Sequence, residues 1–245
     1  MNGFTKLVTG NLGGGKTSWL VEIGYEHMRA GGYFATNIEV KADAIRARMA
    51  AEGYEFDPSR LRVLTGGLDD FYAQIWRGMP DCVVMVAIDE AAIVGFNSRD
   101  FAKLNRTVFN FCTLVRKLDV GLYWATQRPQ FFDKQLRDLC QSLIDCRDTS
   151  QLRFMGIIPF PIRLLVRVYH QNIGGRFEKT HSEVVTRKKW VWKLYNSDAL
   201  LGQNAQAFST MERVSASALK RTVKPQSILA PAIFATLCAA FFSSF

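Results

Sequence analysis

The sequence predicts an α/β fold of three layers, in which helices cover a mostly parallel β-sheet. Three observations predict it. A short strand-like run at residues 4–9 leads through a glycine-rich loop into a helical pattern, which is a strand–loop–helix unit. The run 82–88 is continuously apolar and rich in β-branched residues, as expected of a strand buried on both faces. The run 120–125 is a further apolar strand, so we expect several parallel strands in one sheet.

The first loop matches the pattern G-x-x-x-x-G-K-[ST] at every fixed position. Its glycines permit positive φ angles, so that backbone N–H groups turn toward an anion, and the following helix adds its own N-terminal donors. Lys16 is placed to bind the β- and γ-phosphates of ATP, and the Thr17 hydroxyl is placed to ligate Mg²⁺. The fold class is therefore a P-loop NTPase. The predicted nucleotide-binding residues are Gly10, Asn11, Leu12, Gly13, Gly14, Gly15, Lys16, Thr17 and Ser18.

The next elements continue the unit that the loop opens. A β-type run at 33–38 makes the start of the chain β-loop-α-β. Residues 42–51 are predicted to be a short helix, and residues 61–64 a strand that a loop separates from it. A further helix is predicted at 68–76.

The buried strand 82–88 ends in an acidic pair, Asp89 and Glu90. Ligands bind at the carboxyl ends of parallel strands, so this pair has the position of a Walker B motif. We expect Asp89 to hold Mg²⁺, directly or through water, and Glu90 to polarise the water that attacks the γ-phosphate.

A helix is predicted at 101–117, followed by the strand 120–125. Gln127 follows that strand, where its amide could reach the γ-phosphate or the attacking water, so Gln127 is a candidate catalytic sensor beside Lys16 and Glu90. The alternative is a strand-end turn residue ahead of Pro129.

The second half of the chain gives weaker patterns. Residues 133–144 are predicted to be helical, and 153–169 to hold short strands broken by prolines. A turn is predicted at Gly174-Gly175. The basic cluster Arg187-Lys188-Lys189 is predicted to be a solvated face in preference to a nucleic-acid site.

P-loop sites usually need an arginine at the γ-phosphate in the transition state, often from a neighbouring subunit. The candidates are Arg106, Arg116 and Arg128, because they lie in or beside the helix and strand after Walker B. The alternative is that each is a surface arginine of a basic domain. A finger supplied by a neighbour predicts a homo-oligomer, with a ring as the expected form.

The C-terminal part changes in composition. Residues 1–195 form the predicted NTPase domain, 196–226 a polar linker with a basic end, and 227–245 a transmembrane helix. Residues 228–245 carry no charge and would span about 27 Å as a helix, the lower limit for a bilayer core. Basic residues lie only on the N-terminal flank, so the catalytic domain is expected on the cytoplasmic side. The alternative is a buried C-terminal helix.

The net charge and the spacing of the cysteines limit which partners and metal sites are expected. The net charge of +9 favours an anionic partner, either nucleic acid or the cytoplasmic membrane surface. The five cysteines have no C-x-x-C spacing, so neither a metal cluster nor a disulfide framework is expected.

Taken in order, these motifs resemble the Zot-like (zonula occludens toxin) proteins of filamentous phages. The resemblance rests on the N-terminal phosphate loop, Thr-Asn-Ile at 36–38, Ile-Asp-Glu-Ala at 88–91, Arg-Lys-Leu-Asp-Val-Gly at 116–121 and Ala-Thr-Gln-Arg-Pro at 125–129, and on an apolar segment behind a basic flank. It implies a single-pass ATPase of the host inner membrane that drives virion assembly and export, with phage coat protein and single-stranded phage DNA as partners. Two alternatives stay open. One is a genome-packaging ATPase of the FtsK/HerA type from a membrane-containing icosahedral phage, and the other is a nucleotide-gated membrane scaffold.

Overall fold

The structure is a computed structural model that describes residues 3–66, 73–76, 84–96, 110–113, 115, 117–149, 153–154, 158–159 and 164–196. Most of the predicted helices 68–76 and 101–117 lies outside these ranges. The predicted linker beyond residue 196 and the predicted transmembrane segment 227–245 also lie outside them. Within the described ranges, none of the helices combines the length and the apolar character that crossing a membrane requires.

A sheet of eight strands organises the fold. The first five strands of the chain are β1 (Phe4–Thr9), β2 (Tyr33–Thr36), β3 (Leu61–Val63), β4 (Val84–Ile88) and β5 (Val120–Ala125). The later strands are β6 (Ser142–Asp148), β7 (Arg153–Phe154), β8 (Ile158–Pro159), β9 (Leu165–Ile173) and β10 (Arg176–Val185), of which β7 and β8 pair only with each other. The spatial order is β10-β9-β6-β1-β5-β4-β2-β3. The pairs from β6 to β3 are parallel, whereas β9 is antiparallel to both of its neighbours, which confirms the predicted mostly parallel sheet.

The described helices are α1 (Lys16–Arg29), α2 (Ala42–Ala51), α3 (Ala91–Val94) and α4 (Lys134–Leu139), and residues 73–74 and 110–113 are also helical. Short 3-10 turns occupy Pro58–Arg60, Pro129–Phe131 and Val191–Lys193. The predictions for β1, α2 and β5 are confirmed at both ends of each element.

Both faces of the central strands are buried. Successive side chains of a strand point to opposite faces of the sheet, so neighbouring residues enter different cores. Leu7 and Val8 of β1 are fully buried and belong to two different hydrophobic clusters. The cluster of Leu7 includes Phe111 and Leu136 from helical segments, and the cluster of Val8 includes Tyr25 of α1. Burying a large apolar side chain stabilises the fold by about 1.5–3 kcal/mol. Because each face of the sheet has its own cluster, this burial stabilises the sheet from both sides. Its strand ends are thereby fixed relative to one another.

The prediction of a helix across 133–144 is wrong in its second half. The helix begins with the carboxylate of Asp133 accepting from the backbone N–H groups of Gln135 and Leu136, and it ends at Leu139. Residues 142–148 form β6 instead, between β1 and β9. The apolar spacing fits a helix, but backbone partners on two sides of β6 come from distant parts of the chain and override that local pattern.

The turn predicted at Gly174-Gly175 is confirmed, and it joins β9 and β10 into a long hairpin. Both glycines have positive φ angles, as the type I′ form of a two-residue hairpin turn requires. After β10, residues 186–196 run back toward α2, and we call this segment the strap. The backbone N–H of Lys41 donates to the carbonyl of Leu194 (2.7 Å), which fastens the strap to the start of α2.

Candidate nucleotide-binding site

The site lies at the carboxyl edge of the parallel strands. β5 pairs with β1 on one side and with β4 on the other, in parallel. The loop after β1, Asp89 after β4 and Gln127 after β5 therefore end at the same edge of the sheet. The sequence predicted these three segments to be functional, and the topology brings them together.

The phosphate loop depends on its glycines at two positions in particular. A Cβ atom on Gly10 (φ 140°) would lie 2.0 Å from the carbonyl oxygen of Cys146 in β6. Gly15 (φ 87°) has a left-handed conformation directly before α1. A side chain at either position would displace the loop, so both residues fix its path.

Lys16 is buried inside the curve of this loop. Its ammonium donates to the carbonyl oxygens of Gly10 (2.8 Å) and Asn11 (3.3 Å). Both acceptors are neutral, and hydrogen bonds to ionised acceptors are stronger. The phosphate oxygens of a nucleotide would therefore be better acceptors for this charge.

Thr17 and Asp89 supply a pair of oxygen atoms beside Lys16. The hydroxyl of Thr17 donates to the Asp89 carboxylate at 2.5 Å. Burial raises the pKa of Asp89, while the bonds from Thr17 and from the Glu90 backbone N–H act in the opposite direction. Mg²⁺ is bound in nucleotide sites through one or two protein oxygens together with substrate phosphates and water, so these residues fit the predicted ion.

Asn37 holds the backbone of Asp89, a role that the sequence did not predict. Its side-chain amide donates to the Asp89 carbonyl (2.9 Å), and its side-chain oxygen accepts from the Asp89 N–H (2.7 Å). The whole arrangement is buried. Asn37 is the residue directly after β2, so its position at the end of a parallel strand was the available signal.

Asn37→Ala is expected to lower the free energy of unfolding by about 1–3 kcal/mol for each backbone group of Asp89 left without a partner. Urea denaturation of the purified protein measures this change. The exposed Asn110 in a helical segment offers a matched control, and Asn110→Ala should change stability by no more than about 0.5 kcal/mol. Equal stability of the two variants would contradict the role assigned to Asn37.

Glu90 has a strained backbone. Its angles, φ 48° and ψ 43°, are left-handed, which is uncommon for a residue with a side chain. Burial raises the pKa of Glu90, as does the neighbouring Asp89, while Lys16 and a side-chain hydrogen bond with Gln127 act in the opposite direction. Strain of this kind costs about 1–3 kcal/mol and concentrates at functional sites.

Gln127 joins two parts of the site. Its side chain contacts Glu90, which favours the sensor interpretation over a plain turn residue. Gln127 also lines a cavity of ≈ 550 Å³ whose wall includes Gly10, Asn11 and Asp145. The amide therefore lies between the phosphate loop and the acidic pair.

A separate cleft of ≈ 260 Å³ is lined by Lys16, Thr17 and Glu90 together with residues of the strap. The strap contributes Arg187, Lys188, Trp192 and Tyr195 to this cleft.

The sequence assigned the basic cluster at 187–189 to a solvated face, and for Arg187 that prediction is wrong. The guanidinium of Arg187 donates to the carbonyl oxygen of Gly13 (3.2 Å) and forms an ion pair with Asp148. Lys188 pairs with Glu22 of α1 at 2.6 Å. Both cations line the cleft because the long β9–β10 hairpin, which the sequence pattern did not reveal, returns the chain to the phosphate loop.

Of the three arginines proposed as fingers, the structure describes Arg128. Arg106 and Arg116 are outside the described residues. Arg128 is exposed, and its guanidinium lies 5.9 Å from the centre of the Phe131 ring. Arg128 does not line the cleft that contains Lys16.

Several solved structures resemble this fold. The N-terminal domain of zonular occludens toxin from Neisseria meningitidis superposes with a TM-score of 0.50 at 19% identity, covering 80% of this chain and 100% of that chain. A KaiC-like protein from Pyrococcus horikoshii gives a TM-score of 0.48 at 15% identity, covering 76% of this chain and 90% of that chain. The DNA-packaging ATPase from Sulfolobus turreted icosahedral virus gives 0.48 at 14% identity, covering 74% and 98%.

The sequence comparisons give two results. None of the curated protein sequences matches this chain. The family model described as Zonular occludens toxin (Zot) matches residues 4–201, which is most of the chain. The protein therefore belongs to the zonular occludens toxin family.

Proposed function

We propose that this protein is a Mg²⁺-dependent ATPase of the host inner membrane that powers the assembly and extrusion of filamentous phage virions. The observation that carries the chemistry is the contact of Thr17 with Asp89 beside the buried Lys16. Membership of the zonular occludens toxin family supports the biological role.

In this proposal the loop and Lys16 bind the phosphates of the substrate ATP through backbone N–H groups and the ammonium. Thr17 and Asp89 would hold Mg²⁺, which neutralises negative charge on the phosphates. Glu90 accepts a proton from the attacking water, and Gln127 orients that water through its contact with Glu90. A raised pKa makes the carboxylate of Glu90 a stronger base than that of an ordinary glutamate, which suits the proposed role.

Residues 227–245 are proposed as a single-pass membrane anchor, with the N-terminal domain on the cytoplasmic side. The proposal rests on the uncharged run and on the basic residues that precede it. Subunits anchored in one plane have a raised effective concentration, which favours the homo-oligomeric ring that a finger in trans requires. Phage coat protein and phage DNA are the proposed partners, and the positive net charge is suited to the DNA.

Complementation tests the role and the anchor together. In cells carrying a filamentous phage genome without this gene, the full chain is expected to restore virion release. A chain ending at residue 226 should keep ATP binding in the purified protein and should restore little or no release.

The outcome can also contradict the proposal. Restored release by the shortened chain would remove the anchor from the mechanism. ATPase activity stimulated by double-stranded DNA, and unaffected by coat protein or single-stranded DNA, would favour genome packaging over extrusion.

A further inference from the structure

Trp192 occupies an unusual position in the strap. Its neighbours Val191 and Leu194 are almost fully buried and fasten the strap to the domain. The Trp192 side chain instead remains 48% exposed and lines the cleft that also contains Lys16 and Ser18. An aromatic side chain that is half exposed in a cleft presents apolar surface to whatever enters that cleft.

The neighbouring tryptophan, Trp190, packs against the helices of the domain. The Trp190 ring lies 5.1 Å from the Tyr25 ring, and the guanidinium of Arg48 lies 4.7 Å over Trp190. Trp190 therefore takes part in packing the strap against α1 and α2. Trp192, two residues later, faces the cleft instead.

Arg187 connects Trp192 to the phosphate loop. Its guanidinium donates to the carbonyl of Gly13 and lies 5.8 Å from the centre of the Trp192 ring. The Arg187 side chain thus contacts both the indole and the loop that would bind phosphates. Residues of the loop and Trp192 line the same cleft, so a nucleotide with its phosphates on the loop would enter the cleft that Trp192 lines.

We propose that Trp192 is the platform on which the base of the bound nucleotide stacks, and that the strap thereby selects a nucleoside triphosphate over triphosphate alone. The inference rests on the proposed nucleotide binding at the phosphate loop and deepens it. Every base has a π-face, so stacking tolerates different bases and contributes binding energy separate from that of the phosphates. Arg187 and Lys188 add positive charge to the same cleft, where it favours the phosphates.

The test compares two ligands that each carry a chain of three phosphoryl groups. One is AMP-PNP, which resists hydrolysis, and the other is inorganic tripolyphosphate, which has no base. Isothermal titration calorimetry with Mg²⁺ present is expected to show that Trp192→Ala weakens AMP-PNP binding by about 5- to 150-fold. Tripolyphosphate should bind to wild type and variant with equal Kd, and Trp192→Phe should retain most of the AMP-PNP affinity.

Tyr54 supplies the matched control, because it is 46% exposed and does not line the cleft. Tyr54→Ala should bind both ligands as the wild type does. Unchanged AMP-PNP binding by Trp192→Ala would overturn the proposal. An equal loss for both ligands would also overturn it, since Trp192 would then shape the cleft and not hold the base.

Two further measurements keep the result decisive. Should Trp192→Ala fail to fold, the wild type alone still tests the idea, because a base platform requires AMP-PNP to bind more tightly than tripolyphosphate. Lys16→Ala separates this inference from the proposed function. Loss of both ligands in that variant supports the phosphate site, whereas unchanged binding of both would remove the proposed function itself.

Discussion

Lys16→Ala is expected to abolish ATP hydrolysis, lowering kcat by at least about 10²–10³-fold, and to weaken ATP binding. The loop would keep its backbone donors and lose the ammonium that its curve encloses. Steady-state turnover and calorimetry on the purified variant measure the two effects. The substitution removes a buried charge and also leaves the carbonyls of Gly10 and Asn11 without this donor, so a thermal melt of the variant is recorded to show that it is folded.

The control for Lys16 is an exposed lysine away from the site. Lys117→Ala removes the same charge from an exposed turn and should leave turnover within about twofold of the wild type. Lys16→Arg should behave like the alanine variant, because a planar guanidinium does not fit where an ammonium contacts the carbonyls of Gly10 and Asn11. Turnover by Lys16→Ala at the wild-type rate would show that the phosphate loop is not the catalytic site.

The parts of the site that the sequence predicted are those in which local pattern and position at a strand end agree. The phosphate loop lies between β1 and α1, and the local sequence pattern predicts both of these elements clearly. The acidic pair follows a continuously apolar strand, and Gln127 follows another. The rule that ligands bind at the carboxyl ends of parallel strands was enough to group them.

The missed parts depend on contacts between residues distant in the chain. Arg187 contacts Gly13 although the two are 174 residues apart. Asn37 and Asp89 are separated by 52 residues. The spacing of apolar residues along the sequence cannot predict such contacts, because they depend on the order of the strands in the sheet and on the length of the β9–β10 hairpin. The strand β6 was missed for a related reason, because its apolar residues also fit a helix and only its pairing with β1 and β9 decides between the two.

Glu90→Gln is expected to have an effect different from that of Lys16→Ala. The variant should bind ATP and Mg²⁺ as the wild type does, since Lys16, Thr17 and Asp89 are unchanged. Its kcat should fall by about 10²–10⁴-fold, because an amide cannot accept the proton of the attacking water. Single-turnover kinetics with binding measured in parallel separates the two properties. A normal kcat would place the general base elsewhere and would leave the contact between Glu90 and Gln127 without a catalytic role.

The pH dependence gives an independent check on Glu90. Burial and the adjacent Asp89 raise the pKa of Glu90, and a base is active only in its ionised form. The kcat of the wild type should therefore fall as the pH decreases through this raised pKa, at a pH above the range usual for a glutamate. Gln127→Ala removes a hydrogen bond that lowers the pKa of Glu90, so the acid limb should move to a still higher pH. The residual activity of Glu90→Gln should lack this limb, and an unchanged limb in that variant would assign the titration to another group.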